Sequence, residues 1–255
     1  MKALITGASS GIGRDMARIL SAQGYDLILV ARRLDRLEQL KREFKTDVRI
    51  ISADLSDRTA CINLYEQVKA ENIDILINNA GFGLFGAFDK TDLQKELSML
   101  DTNIIAVHIL TKLFLKDFKA RNSGYILNVA SSAAFQPGPL LSGYYASKAY
   151  VLRLTEAIYE ELRRQRSGVH VCVLCPGPVR TEFDAVADVK FSVKGLESSY
   201  VAAYALRKMF QRKLVIVPGT TMKLAHFFGR FMPDKQLLKV AYHMQKRKDH
   251  GSAKP

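Results

Sequence analysis

The sequence predicts a single α/β domain in which helices cover both faces of a parallel sheet. Short apolar runs alternate with longer amphipathic segments along the chain, a pattern typical of repeated strand–helix units. A glycine-rich loop directly follows the first run, and 255 residues with 48% apolar and 25% charged side chains suffice for one large core. Since no repeat or linker interrupts the pattern, residues 1–255 are interpreted as one domain.

Seven apolar runs rich in Val, Ile and Leu are predicted to be strands, at 3–6, 26–31, 48–53, 73–77, 125–130, 169–174 and 214–217. Helices are predicted in the segment ending at Gly24 and at 34–44, 56–70, 91–121, 144–166 and 198–211, with a break in the fourth near Asp101-Thr102-Asn103. A hydroxyl can accept from the first free N–H groups of a helix, so Ser56 and either Ser198 or Ser199 are predicted N-caps.

The glycine-rich loop between the first strand and the first helix predicts a pyrophosphate site. Small residues let the backbone approach the ligand, and the helix N-terminus supplies N–H groups and a positive dipole. The spacing is G-x-x-x-G-x-G rather than the commoner G-x-G-x-x-G. The candidate residues are Gly7, Ser9, Ser10, Gly11, Ile12 and Gly13.

Arg32 and Arg33 directly follow the second strand, where a dinucleotide's adenosine ribose lies. An arginine there favours the 2′-phosphate of NADP(H), and an acid would favour NAD(H). Arg32 is ranked ahead of Arg33 by position. The alternative is a solvent-exposed pair at the start of a charged helix.

Further polar loops follow the third, fourth and sixth strands, at the edge where open parallel sheets bind ligands. They carry Asp54-Leu55, Asn78 to Gly81 and Pro176 to Thr181. The glycine- and aromatic-rich segment 82–88 and the weakly periodic segment 182–196 are predicted to be a pocket loop and a flap. Asn103 precedes an apolar run, where a helix-start cap is an alternative to a functional role.

Tyr144 and Lys148 lie at i and i+4, which stacks them one turn apart on a helix. A phenol beside an ammonium is expected to have a pKa below about 10. Ser131 follows the fifth strand and is placed to reach the same substrate oxygen. A helix start that carries Tyr and Lys without function is the alternative, and the other motifs argue against it.

The cysteines and the start of the chain indicate a reduced, cytoplasmic protein. Cys172 and Cys175 form a C-x-x-C, but residues three apart in a strand point to opposite faces, so neither a redox pair nor a metal site is expected. The chain enters a strand directly after Met1-Lys2, and no uninterrupted apolar run approaches the roughly 20 residues that span a bilayer.

Positive charge is concentrated at the end of the chain: twelve lysines and arginines and two aspartates give residues 207–255 +10 of the net +13. A solvated surface is expected, and attraction to an acidic substrate or an anionic membrane is the alternative. No module for nucleic-acid binding is present in the sequence. Leu224, Phe227, Phe228 and Phe231 form an apolar helical stripe, expected to pack on the protein or a partner subunit rather than on a membrane.

Taken together, TGASSGIG at 6–13, NNAG at 78–81, Asn103, Ser131, YYASK at 144–148 and PGPVRT at 176–181 resemble the short-chain dehydrogenase/reductase family in its 250-residue form, over residues 1–219. The resemblance implies a Rossmann-type sheet in the order 3-2-1-4-5-6-7. It implies that Tyr144 is the general acid or base, that Ser131 binds the substrate oxygen, that Lys148 binds the nicotinamide ribose and that Asn103 positions a water. Around the cofactor it implies contacts from Asp54, Leu55, Asn79, Ala80, Gly81, Pro176, Gly177, Val179 and Thr181.

The expected function is NADPH-dependent reduction of an apolar ketone or aldehyde, acyl- or steroid-like by a looser similarity of the segment from Val217 onward. NAD(H) remains possible, because Ser10 stands where some NADPH-preferring members carry a basic residue. Alternatives are alcohol oxidation, a cofactor-sensing protein without catalysis, and a membrane-surface protein. The resemblance also implies a homodimer or homotetramer. A substrate flap is expected at 178–200 and a basic extension at 219–255.

Overall fold

The computed structural model describes residues 1–183, 195–229 and 231–246. The first half runs β1 (Lys2–Thr6), α1 (Gly11–Ala22), β2 (Asp26–Ala31), α2 (Leu34–Arg42), β3 (Val48–Ser52), α3 (Arg58–Val68), β4 (Ile75–Asn78), α4 (Leu93–Leu100), a π-helical turn (Asp101–Ala106) and α5 (Val107–Ala120). The second half runs β5 (Tyr125–Val129), a 3₁₀ turn (Ser132–Phe135), α6 (Ser142–Arg164), β6 (His170–Leu174), β7 (Val179–Arg180), β8 (Leu196–Glu197), α7 (Ser198–Phe210), β9 (Val215–Ile216), α8 (Thr220–Gly229) and α9 (Asp234–Lys246).

Seven strands form one parallel sheet in the order β3-β2-β1-β4-β5-β6-β9. The predicted Rossmann-type α/β fold and strand order are confirmed, with β9 as the seventh strand. The order reverses between β1 and β4, and this switch point is where open α/β sheets bind ligands. The sequence did not predict the short parallel pair of β7 and β8, which flanks residues 184–194; most of the predicted flap therefore lies outside the described residues.

The sheet is buried on both faces because helices cover both. Ile5 of β1 packs into one core with residues of α1, α2 and α7, whereas the adjacent Leu4 packs into a second core with residues of α3 and α5. This alternation follows from the two-residue period of a strand. It explains why the strands are apolar runs rather than alternating patterns.

Two predicted caps are wrong. Asp57, not Ser56, caps α3 by accepting from the Thr59 N–H at 2.7 Å, while Ser56 donates its hydroxyl to Asp54. Ser198 is the first residue of α7, after the N-cap Glu197, and its hydroxyl donates to buried Asp15 of α1. The Ser198 hydroxyl, which the local pattern assigns to a cap, therefore binds a side chain that is distant in the sequence.

The helical stretch Leu93–Ala120 is long and apolar enough to cross a bilayer, since its 28 residues contain an 18-residue window with a mean hydropathy of 1.3. Within the described residues, however, 44% of its apolar window is buried, and Phe114 and Phe118 lie in the second core. We interpret it as a core helix. The predicted break near Asp101 is a π-helical turn through which the chain stays helical.

Candidate active site

The carboxyl ends of the strands border a cavity of about 740 Å³. All of the predicted cofactor and catalytic residues line it except Gly13 and Asn103, which lie directly behind the lining. The structure therefore brings together residues that are spread over positions 7–181 of the chain.

The glycine-rich loop has the conformation that only glycine adopts readily, with φ of +64° at Gly7 and +54° at Gly11. A β-carbon at Gly7 would lie 2.8 Å from the Ala80 Cα, and one at Gly11 would lie 2.9 Å from the Thr181 Cγ2. Within the described structure, the hydroxyl of the N-cap Ser10 makes no capping hydrogen bond to α1. Since Ser10, Gly11 and Ile12 line the cavity, the N-terminus of α1 lies at the cavity wall, where an anion site would be.

The two central loops are tied together by Thr6 and Asn79. The Thr6 hydroxyl accepts from the backbone N–H groups of Asn79 and Ala80, both at 3.0 Å. The Asn79 amide donates to the carbonyl oxygens of Thr6 and Gly7 at 3.0 and 3.1 Å. Asn79 therefore positions the glycine loop from behind, and Thr6 is a supporting residue that the sequence did not single out.

Asn103 is fully buried in the π-helical turn, and it is not a helix cap. Its amide donates to the Phe82 carbonyl at 2.9 Å and to the Ser147 hydroxyl at 3.0 Å, and its Oδ1 accepts from the Phe82 N–H at 3.1 Å. A β-carbon at Gly81 would lie 2.8 Å from Asn103 Oδ1 and 3.1 Å from Lys148 Nζ. Gly81 is thus the residue that lets Asn103 and Lys148 converge.

Ser131, Tyr144 and Lys148 form the polar centre of the cavity. Ser131 is hydrogen-bonded to Tyr144, and its hydroxyl accepts from the Ala133 N–H at 3.2 Å, which fixes its orientation. Lys148 is 5% exposed; its ammonium lies 5.8 Å from the centroid of the Tyr144 ring and donates to the Val129 carbonyl at 3.0 Å. The predicted i, i+4 stacking on α6 is present.

The expectation that the pKa of Tyr144 is lowered is wrong for this geometry. Burial raises the pKa of Tyr144 well above its ordinary value, and the hydrogen bond with Ser131 only partly opposes this. Burial also lowers the pKa of Lys148 to about 8. Desolvation disfavours the charged form of each group, and it is the largest cause of both shifts. At neutral pH the phenol therefore keeps its proton.

At the adenosine end of the cavity, Arg33 rather than Arg32 faces the glycine loop. Arg33 Nη2 donates to the hydroxyls of Ser9 and Ser10 at 3.2 and 3.1 Å. Arg33 Nη1 also binds Glu182 at 2.8 Å, and Arg36 binds the other oxygen of that carboxylate. Hydrogen bonds from Arg36 and then Arg33 lower the pKa of Glu182. Arg32 is exposed and lines the cavity.

The substrate end of the cavity is apolar, and much of its lining comes from the predicted flap and from the segment beyond Val217. The Phe183 ring lies 5.3 Å from the Tyr144 ring, and a β-carbon at Gly177 would lie 2.8 Å from Met222 Cγ. Tyr145 accepts from Gln245 of α9, which attaches this helix to α6. Further apolar lining comes from Phe135, Leu141, Phe228, Met232, Leu237, Val240 and Met244.

Cys172 and Cys175 are both free and fully buried, and burial raises the pKa of each thiol. Among the described residues, no group of three or more His, Cys, Asp or Glu side chains is placed to hold a metal ion. Among the described residues, the candidates for chemistry in the cavity are therefore its polar side chains rather than these cysteines or a metal site.

Comparisons with known proteins agree with this geometry. The short chain dehydrogenase family model matches residues 1–189. The 17-beta-hydroxysteroid dehydrogenase type 3 of Mus musculus is 33% identical over 185 residues, which are 70% of this chain and 60% of that protein. The very-long-chain 3-oxoacyl-CoA reductase of Anas platyrhynchos is 30% identical over 213 residues, 79% of this chain and 66% of that protein. A short-chain dehydrogenase from Sphingobium yanoikuyae, solved in complex with NADPH, superimposes with a TM-score of 0.82 at 28% identity, covering 100% of this chain and 98% of that one.

Proposed function

This chain belongs to the short-chain dehydrogenase/reductase family of oxidoreductases, and on that premise we propose that it reduces an apolar ketone or aldehyde with NADPH. The observation that carries the proposal is the arrangement of Ser131, Tyr144 and Lys148 around one point of a largely apolar cavity. A positioned acid and a polarising hydroxyl are the protein groups that carbonyl reduction needs.

The cavity fits a dinucleotide phosphate on its own geometry. Glycines at Gly7 and Gly11 allow close approach of the backbone, and the N-terminus of α1 faces the loop without a side-chain cap in the described structure. Gly7 to Gly13 would hold the pyrophosphate, and Lys148 the nicotinamide ribose. Arg33 with Ser9 and Ser10 would hold the 2′-phosphate. When bound, the reduced nicotinamide supplies a hydride.

The protein's own groups supply the proton and orient the carbonyl. Tyr144 donates its phenolic proton to the oxygen that becomes an alcohol, and Ser131 donates a hydrogen bond to the same oxygen. Since the alkoxide is a much stronger base than phenolate, this transfer is downhill. Oxidation would instead need ionised Tyr144, which burial disfavours. Burial thus holds Tyr144 in the protonated form that reduction uses.

An apolar carbonyl compound suits the far end of the cavity, where Met222, Phe228 and Met232 lie. The similarity to a hydroxysteroid dehydrogenase and to a 3-oxoacyl-CoA reductase supports steroid-like or acyl ketones. A panel of such ketones and matched small aldehydes, followed by NADPH absorbance at fixed protein concentration, tests the class. If the small polar aldehydes have the higher kcat/KM, the apolar assignment is wrong.

Cofactor choice is expected to depend on Arg33 more than on Arg32. Arg33→Ala should weaken NADPH binding about ten- to a hundredfold, because a charge-assisted hydrogen bond to phosphate is worth roughly 1.5–3 kcal/mol. NADH, which lacks the 2′-phosphate, should bind Arg33→Ala almost as it binds the parent. Fluorescence titration of both cofactors measures the effect.

Arg32→Ala is the matched control. A larger loss of NADPH affinity in Arg32→Ala than in Arg33→Ala would mean that Arg32 is the main phosphate ligand, as the sequence predicts. A parent that prefers NADH would overturn the NADPH assignment.

Glu182 is expected to oppose NADPH binding, because its carboxylate occupies the same guanidinium groups. Glu182→Gln should strengthen NADPH binding roughly two- to fivefold, the range expected for release of an exposed ion pair. NADH binding should not change. A Glu197→Gln variant, in which a carboxylate paired with Arg180 is removed, controls for a general effect of negative charge. Weaker NADPH binding by Glu182→Gln would mean that Glu182 instead positions the arginines.

A further inference from the structure

The C-terminal helix pair carries an exposed aromatic cluster, which we define as Phe227, Phe228 and Phe231. Their exposed fractions are 54%, 64% and 74%, and the ring of Phe227 lies 5.4 Å from that of Phe228 and 5.5 Å from that of Phe231. Leu224, one turn earlier, is 57% exposed. Of the two packing partners expected for this stripe, the chain itself is wrong, because the stripe points outward apart from the contribution of Phe228 to the cavity. Packing on a partner subunit stays a prediction. Contiguous exposed apolar groups of this kind mark an interaction surface.

Basic residues outnumber acidic ones on the two helices next to the aromatic cluster. In the described parts of α8 and α9 and the turn between them, the charged residues are Lys223, Lys235, Lys239, Lys246 and one acid, Asp234. The ammonium of Lys223 lies 5.6 Å from the Tyr204 ring, and that of Lys208 on α7 lies 5.9 Å from the same ring. The basic residues of α7 are therefore continuous with those of α8.

We propose that this surface binds an anionic lipid membrane, with the aromatic cluster inserted between headgroups and the lysines beside them. Exposed aromatic side chains flanked by lysines are the pattern of helices that lie in a membrane interface. A second copy of the chain fits less well, because two strongly basic segments would face each other across the contact. The inference is independent of the reaction proposed above.

The surface also borders the opening of the cavity. Phe228, Met232 and Val240 belong both to the cavity lining and to the exposed apolar side chains of α8 and α9. The hydrogen bond between Gln245 and Tyr145 fixes α9 on α6 in this position. A protein seated on lipid in this way takes up apolar ligands through the membrane side of the cavity.

The absence of tryptophan from the sequence gives a direct test. Phe231→Trp introduces one emitter into the cluster, and Ile62→Trp introduces one at another exposed apolar site, on α3. With phosphatidylglycerol-containing vesicles, the emission of Phe231→Trp should shift to shorter wavelength, and that of Ile62→Trp should not. With pure phosphatidylcholine the shift should be smaller, and raised salt should reduce it.

Co-sedimentation with the same vesicles supplies the second measurement. The double variant Phe227→Ser/Phe231→Ser should partition at least roughly tenfold more weakly than the parent, since it lacks two aromatic groups that would be buried in the lipid. Ile62→Ser is the matched control and should sediment as the parent does. Circular dichroism confirms that both variants fold. No emission shift with anionic vesicles, or equal sedimentation of the double variant, overturns the proposal. A lipid-independent dimer that the double variant abolishes would assign the surface to a second copy.

Discussion

Tyr144→Phe is expected to lower kcat/KM for carbonyl reduction by roughly 10²–10⁴-fold, toward the upper end of that range. The substitution removes the one proton that the proposed reaction takes from Tyr144, and it leaves the ring that contacts Phe183 in place. Cofactor affinity should change little, because the phenolic oxygen acts on the substrate. Steady-state kinetics and a separate NADPH titration measure the two effects.

Tyr145→Phe is the control for this variant. Tyr145 is adjacent, also lines the cavity and loses a hydroxyl in the same way, but its hydroxyl is engaged with Gln245 of α9. A loss of only a few-fold is expected for it. Should Tyr144→Phe retain activity within a few-fold of the parent, or should both variants lose activity equally, Tyr144 is not the acid.

The parts of the site that the sequence predicts correctly depend on local spacing. A strand–helix–strand unit is almost always right-handed, and residues at i and i+4 share a helix face. The shared face of Tyr144 and Lys148 follows from this spacing, whereas the strand order and the roles of Ser131, Tyr144 and Lys148 are expected from the resemblance to the family. The apolar strands also indicated a sheet buried on both faces.

The parts that the sequence misses depend on distant partners. Glu182 is 149 residues from Arg33, and no local signal connects them or decides between Arg32 and Arg33. The spacing shows the charge next to Tyr144 but not its burial, so the sequence predicts a lowered pKa where burial raises it. Ser198 has the residue type of a cap and donates instead to Asp15, on a helix that packs against its own.

Lys148→Met is expected to abolish reduction and at the same time to stabilise the fold. Lys148 is 5% exposed, and burial holds its pKa at about 8, below the ordinary 10.5. The unfolded chain binds the proton of Lys148 more tightly than the folded chain does. The buried ammonium therefore lowers the free energy of unfolding by its full amount below about pH 8. Replacement by a similar apolar side chain should raise the free energy of unfolding at pH 7 by about 1–3 kcal/mol, after allowance for the lost hydrogen bond to Val129.

The pH dependence has a definite sign. As the pH rises from about 8 to 10.5, Lys148 loses its proton in the folded state first, so the stability of the parent rises relative to that of Lys148→Met and the difference between them closes. Over the lower part of the same range, reduction by the parent should decline, because the ammonium that holds the cofactor ribose is lost. NADPH affinity should weaken in parallel.

Urea unfolding at pH 7 and pH 10, together with NADPH titrations, tests both halves of this expectation. Lys116→Met, on the exposed side of α5, is the matched control and should change neither stability nor turnover appreciably. A Lys148→Met protein less stable than the parent at pH 7 would show that Lys148 is held by stronger partners than the Val129 carbonyl. If Lys148→Met loses turnover but binds NADPH as tightly as the parent, Lys148 does not hold the cofactor and acts only through its charge on Tyr144. The combination of lost binding, lost turnover and gained stability is expected only if a buried ammonium is retained for function at the expense of the fold.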